Sequence, residues 1–109
     1  MANKKIPSKH YHEMAKLFPG VMSALEEMGA TIREAGPIDG KTVELIQLAA
    51  AATLQSEGSV HSHTRRAHEL GATPEEIYHT LALLISTIGF PKVSAAVSWA
   101  RDVLSKKKK

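Results

Sequence analysis

Glu44 and His63 are the residues of this chain whose types and settings suit acid/base chemistry. Glu44 interrupts a stretch, Val43 to Leu54, that reads VELIQLAAAATL and is apolar nearly all round, with Gln47 its only other strongly polar member. A carboxylate held in apolar surroundings keeps its proton to higher pH, which is the state a general acid near neutrality needs. A first-turn glutamate is also favoured simply by the helix dipole. His63 falls on one helical face with Ser56, Val60, Ala67 and Leu70, so it points with apolar residues toward a core. A histidine there is either a packed core residue bonded to a carbonyl or a proton carrier with a titration range near neutrality.

Six histidines in 109 residues raise the question of a metal, with His10/His12 and His61/His63 forming two His-x-His pairs. Residues two apart on a helix point about 200° from each other, so neither pair converges on one ion and no metal site is expected. His61 and His68 do share a face, but Glu57 and Arg65 share it too, the composition of a solvated stripe. Ser56 and Ser59 precede His63 by seven and four residues. No nucleophile-elbow pattern surrounds them, and serines at a helix start commonly cap or back-bond it. The chain has no cysteine, which excludes disulfides, thiolate metal sites and thiol redox chemistry.

The elements that position these residues are all helical. Breaks at Pro19-Gly20, Gly36-Pro37, Gly40, Gly71, Gly89 and Pro91 separate segments rich in Ala, Leu, Glu and Met. Helices are predicted over 8 to 18 and 21 to 35, the second with an apolar stripe of Val21, Leu25, Met28 and Ile32. A third runs from Gly40 to about Gln55, with Asp39 as its N-cap accepting from first-turn amides. A fourth covers 58 to 70 and stops at Gly71. Thr73-Pro74-Glu75-Glu76 is a capping box opening a fifth, which runs to about Ile88. The last extends from Pro91 to about Leu104, with Val93, Ala96, Val97, Ala100 and Leu104 on one stripe. The expected class is all-α, a single compact helical domain of about six helices over residues 8–104, between a flexible N-terminus (1–7) and a basic tail (105–109).

Hydrophobic residues make up 43% and charged residues 23%, which suits a folded domain and excludes a disordered acidic chain. The formal charge is +3, and four of the lysines form the run Lys106 to Lys109. No aromatic residues interleave with that run to stack on bases, so it reads as a solvated end and no nucleic-acid partner is expected. Met1 to Lys5 lead into no apolar signal segment, and no apolar run approaches about 18 residues. A cytoplasmic, soluble protein without a membrane partner is the expectation.

Taken in order, Ile38-Asp39-Gly40-Lys41-Thr42-Val43-Glu44-Leu45, His63-Thr64-Arg65-Arg66-Ala67, Leu70-Gly71-Ala72-Thr73-Pro74-Glu75-Glu76-Ile77 and Gly89-Phe90-Pro91 before an Ala-rich helix resemble the carboxymuconolactone decarboxylase family. That superfamily also holds the alkylhydroperoxidase D-like proteins. The resemblance covers residues 38 to 104, with Leu17-Phe18-Pro19 similar ahead of it. It implies an alkylhydroperoxidase D-like, all-helical subunit completed by neighbours in trimers or hexamers, a small-molecule substrate and no cofactor. In the peroxidase branch a Cys-x-x-Cys pair precedes the histidine and an upstream glutamate assists proton transfer. The matching positions here are Ser56 and Ser59, His63 and Glu44. The decarboxylase branch lacks the cysteines and keeps the histidine and glutamate, so the chain departs less from it.

Three readings follow: a cofactor-independent carboxy-lyase with Glu44 and His63 catalytic, a relative of the peroxidase branch acting without thiols, and a non-catalytic oligomeric binding module. For the lyase, Arg65, Arg66 and Ser59 are the candidates to bind substrate, the arginines to hold a departing carboxylate. A serine hydroxyl cannot pass through sulfenic acid and disulfide. The purified protein is therefore expected to show no dithiol-dependent peroxide turnover above a heat-killed control, and robust turnover would overturn the assignment.

Overall fold

The computed structural model describes residues 9–106. The expected flexible N-terminus (1–7) and the last lysines, Lys107 to Lys109, lie outside the described residues. Seven helical segments and no strand occur among the described residues: α1 (Lys9–Leu17), α2 (Pro19–Arg33), α3 (Gly40–Thr53), α4 (Glu57–Glu69), α5 (Pro74–Ala82), the single turn α6 (Ile85–Ile88) and α7 (Phe90–Lys106). They divide after Pro37 into two compact units. That boundary, at the Gly36-Pro37 break, falls inside the range read as one domain.

In the first unit α1 and α2 are joined at Phe18 and pack on each other. Pro19 occupies the first helical position of α2, and Phe18 before it leaves helical geometry (φ −136°, ψ 68°), because a proline ring disfavours helical backbone in its predecessor. The Tyr11 hydroxyl donates to the Glu26 carboxylate across the pair. The α2 stripe of Val21, Leu25, Met28 and Ile32 is present, but all four side chains are exposed and Met22 is the buried residue of the helix. Periodicity identified the face correctly and said nothing about whether anything covers it.

The second unit is built on the pair α3 and α4. Leu54, Gln55 and Ser56 join them, and the two helices pack along each other through Leu48, Ala51, Ala52, Val60 and Ala67, with α7 laid across through Val93, Ala96, Ala100 and Leu104 and α5 through Ile77 and Leu81. The alanines let helix backbones approach closely. The branched side chains fill the remaining volume, each contributing about 1.5–3 kcal/mol when fully buried. The apolar stretch from Val43 to Leu54 is not fully covered by its own chain. Ile46 is half exposed and Leu54 is 77% exposed.

Boundaries shift by one or two residues at several helix ends, with α2 running from Pro19 to Arg33 in place of 21 to 35, and two further details change. The helix opened by the capping box ends at Ala82 and restarts at Ile85. Leu84 N–H bonds to Leu81 O, and Thr87 N–H to Leu84 O, tighter i−3 bonds that turn the chain so that Leu84 packs on the core while Leu83 stays exposed. Neither proline nor glycine marks this break. Asp39 does occupy the N-cap position of α3, but its carboxylate accepts from the Thr42 hydroxyl at 2.6 Å in place of an amide cap. That bond holds the Asp39 carboxyl below its ordinary range.

The capping box of α5 forms as expected. Glu76 N–H donates to Thr73 Oγ1 and Thr73 N–H donates to Glu76 Oε1, both at 3.0 Å. Lys41 on α3 adds its ammonium to the same carboxylate, 3.1 and 3.3 Å from the two oxygens. The Thr73 amide first, and Lys41 next, hold the Glu76 carboxyl below its ordinary value. A depressed folded-state value contributes stability that is present above the unfolded value of about 4.3 and is lost as pH falls through the folded one. Glu76→Gln keeps an amide acceptor but no charge, so its thermal midpoint is expected to be lower than that of the unaltered chain at pH 7 and to approach it at pH 3. Parallel melts followed by circular dichroism check this.

Candidate functional site

Glu44 sits in the second turn of α3 and His63 in the middle of α4, and the helix pair brings them together. His63 Nδ1 and Glu44 Oε1 are 2.7 Å apart, short enough for a charge-assisted hydrogen bond. Glu44 is 2% exposed, while the His63 side chain keeps 15% of its surface open. The carboxylate is thus inside the protein, and the ring stands between it and solvent.

Helical spacing explains the meeting. Val60, Thr64 and Ala67 form the buried seam of α4, and His63 borders it, so the imidazole leans over α3. On α3 the residues four and eight after Glu44, Leu48 and Ala52, are also buried, which places Glu44 on the inward stripe. With Glu44 as the carboxylate, His63 Nδ1–H donates to it, and the second ring nitrogen, Nε2, becomes the one that takes or gives a proton. A carboxylate behind an imidazole fixes its tautomer.

The other expected site residues are placed less closely. Ser56 is the N-cap of α4 and makes no side-chain cap bond. Ser59, four residues before His63, is half buried on the same face. Arg66 is exposed and lies one turn beyond His63 on its edge, whereas Arg65, two positions from His63 in a continuous helix, points about 200° away from it. The arrangement therefore gathers Ser56, Ser59, His63 and Arg66 on one edge of α4 and leaves Arg65 on another. Leu70, expected to continue the inward face, is half exposed. It is the C-cap residue of α4, and its Cδ1 lies 3.3 Å from where a Cβ on Gly40 would stand, so it folds over the start of α3 in the space that glycine leaves.

The stripe of His61 and His68 faces protein more than solvent. His61 Nε2 is 3.9 Å from carboxylate oxygens of both Glu57 and Asp102, the latter on α7. Because a carbonyl only accepts, His68 Nδ1–H donates to Ala72 O at 3.1 Å, closing the turn after α4. Thr64 is fully buried, and its hydroxyl has no hydrogen-bond partner among the described residues. His10 and His12 are exposed on α1. Among the described residues no group of three or more His, Cys, Asp or Glu is disposed to hold a metal ion, and no helix is long and apolar enough to cross a membrane.

Comparison with known proteins agrees with this architecture. The sequence pattern of the carboxymuconolactone decarboxylase family matches residues 19–102. The apo crystal structure of a carboxymuconolactone decarboxylase family protein from Legionella pneumophila superposes with a TM-score of 0.77 at 27% identity, covering 92% of this chain and 88% of that one. An uncharacterized protein of Methanocaldococcus jannaschii is 28% identical over 98 residues, 90% of this chain and 92% of its own length. Another, from Haemophilus influenzae, is 36% identical over 59 residues, 54% of this chain, and the match spans 52% of that protein's length. With a family pattern that runs from the start of α2 into the last turns of α7 and includes both Glu44 and His63, the chain belongs to the carboxymuconolactone decarboxylase family.

Proposed function

We propose that this protein is a cofactor-independent acid/base lyase of the carboxymuconolactone decarboxylase type, acting on a small lactone or carboxylate. The observation that carries the reading is the 2.7 Å bond between a buried glutamate and a histidine that remains partly open to solvent. Decarboxylation of a lactone carboxylate breaks the bond between ring carbon and carboxylate. The electron pair moves toward the ring carbonyl, carbon dioxide leaves, and a proton must be delivered to carbon. His63, protonated at Nε2 and held through Nδ1 by Glu44, supplies that proton and is recharged from solvent. Ser59 offers a hydroxyl donor to the developing oxyanion, and Arg66, on the same edge of α4, is the better placed of the two arginines to attract the substrate carboxylate.

The test is incubation with 4-carboxymuconolactone and measurement of carbon dioxide. Release is expected, with His63→Ala and Glu44→Ala each lowering it by about 10²-fold or more. Absence of release from the folded, unaltered protein would sink the reading. In that case a thiol-independent relative of the peroxidase branch or a non-catalytic module would take its place.

The proposal includes self-association. Val21, Leu25, Met28 and Ile32 on α2, Ile46 on α3 and Leu54 in the turn after it present apolar side chains to solvent in the single subunit. Apolar surface arranged along helices in this way is characteristic of contact regions. A trimer or hexamer is expected by light scattering at micromolar concentration, and a stable 11.8 kDa species would overturn it.

A further inference from the structure

The turn between α3 and α4 holds a backbone conformation that its residue does not favour. Gln55 has φ 56°, the left-handed region where glycine or asparagine usually ends a helix and where other side chains cost about 1 kcal/mol. The turn is otherwise well formed, with Ser56 N–H donating to Ala51 O and Gln55 N–H to Ala52 O, both at 3.0 Å. Glycine would make those two bonds without strain. What glycine could not provide is the side chain: Gln55 Nε2 donates to Ala52 O at 2.8 Å and to Lys92 O at 3.2 Å. Lys92 lies in the first turn of α7, so one amide group, carried on the turn between α3 and α4, ties the end of α3 to the start of α7. Strain retained in the turn that joins the two helices of the site, with a side chain that glycine could not supply, points to a role in placing that site.

We propose that Gln55 is a positioning residue for the Glu44–His63 pair, its amide locking the hairpin so that the two arms keep their register. Glu44 precedes the turn and His63 follows it. A slip of one residue on either arm moves a side chain about 1.5 Å along the axis and turns it about 100°, which would separate the pair. This rests on the pair being the proton-transfer centre, but its geometric content can be measured without any substrate.

Two variants separate the amide from the backbone conformation. Gln55→Glu keeps the size and the strain and loses the donor, while Gln55→Gly loses the donor and relieves the strain. In ¹⁵N-resolved NMR at neutral pH, the unaltered chain is expected to show a protected His63 ring N–H bonded to Glu44. Both variants are expected to remain helical by circular dichroism and to lose that protected signal. Where carbon dioxide release from 4-carboxymuconolactone is measurable, kcat is expected to fall on the order of tenfold or more with little change in KM. Folded variants that keep the His63 signal unchanged would overturn the proposal. So would an unaltered chain that lacks the signal, or unfolding of the glycine variant, which would assign Gln55 to fold stability alone. Loss of the signal in both variants, in a protein whose unaltered form releases no carbon dioxide, would support the positioning role and refute the lactone reading.

Discussion

A glutamate buried inside a helix pair must have its carboxyl group satisfied, and the second unit is arranged around that requirement. Removing a carboxylate from water costs several kcal/mol unless hydrogen bonds replace the lost solvation. α4 supplies His63 for this purpose. Its composition, EGSVHSHTRRAHE, is polar for a central helix, and only Val60, Thr64 and Ala67 give it a buried seam. The seam is narrow and lined by small residues, so the helix comes close to α3 while its polar edges remain available.

The other helices hold the hairpin at defined points. α5 is tied to the first turn of α3 where Lys41 meets the Glu76 carboxylate, and α7 lies across α4 through its alanines. The hairpin is therefore braced at both ends, at the start of α3 by a charge and at the α3–α4 turn by a side-chain amide. Between these points the apolar contacts are made largely by alanines, with Leu48 and Val60, and small side chains define separation well and register poorly. Polar contacts with fixed geometry complement such packing.

Much of this was legible in the sequence because it rests on local rules. The capping box at Thr73 and Glu76, the stop of α4 before Gly71 and the buried stripe of α7 each follow from residues within one or two turns. Glu44 and His63 were legible as exceptions, a carboxylate in an apolar run and a histidine on an inward face. What could not be read involves partners distant in the chain or conformations that the residue type disfavours. Asp102 approaches His61 from α7, Lys41 reaches Glu76 from α3, and the left-handed backbone at Gln55 carries none of the glycine or asparagine that would mark it. The break at Leu83 and Leu84 arises from tertiary packing of Leu84, and the outward stripe of α2 is indistinguishable by periodicity from an inward one.

The two site residues are only 19 positions apart and belong to consecutive helices joined by a three-residue turn. Contacts of such short sequence separation close small loops and form rapidly, whereas docking of α7 closes longer ones. During synthesis, Glu44 and His63 emerge from the ribosome on one hairpin ahead of α5, α6 and α7. The pairing of glutamate and histidine is thus a property of a local unit that later helices enclose, and assembly runs outward from that pair.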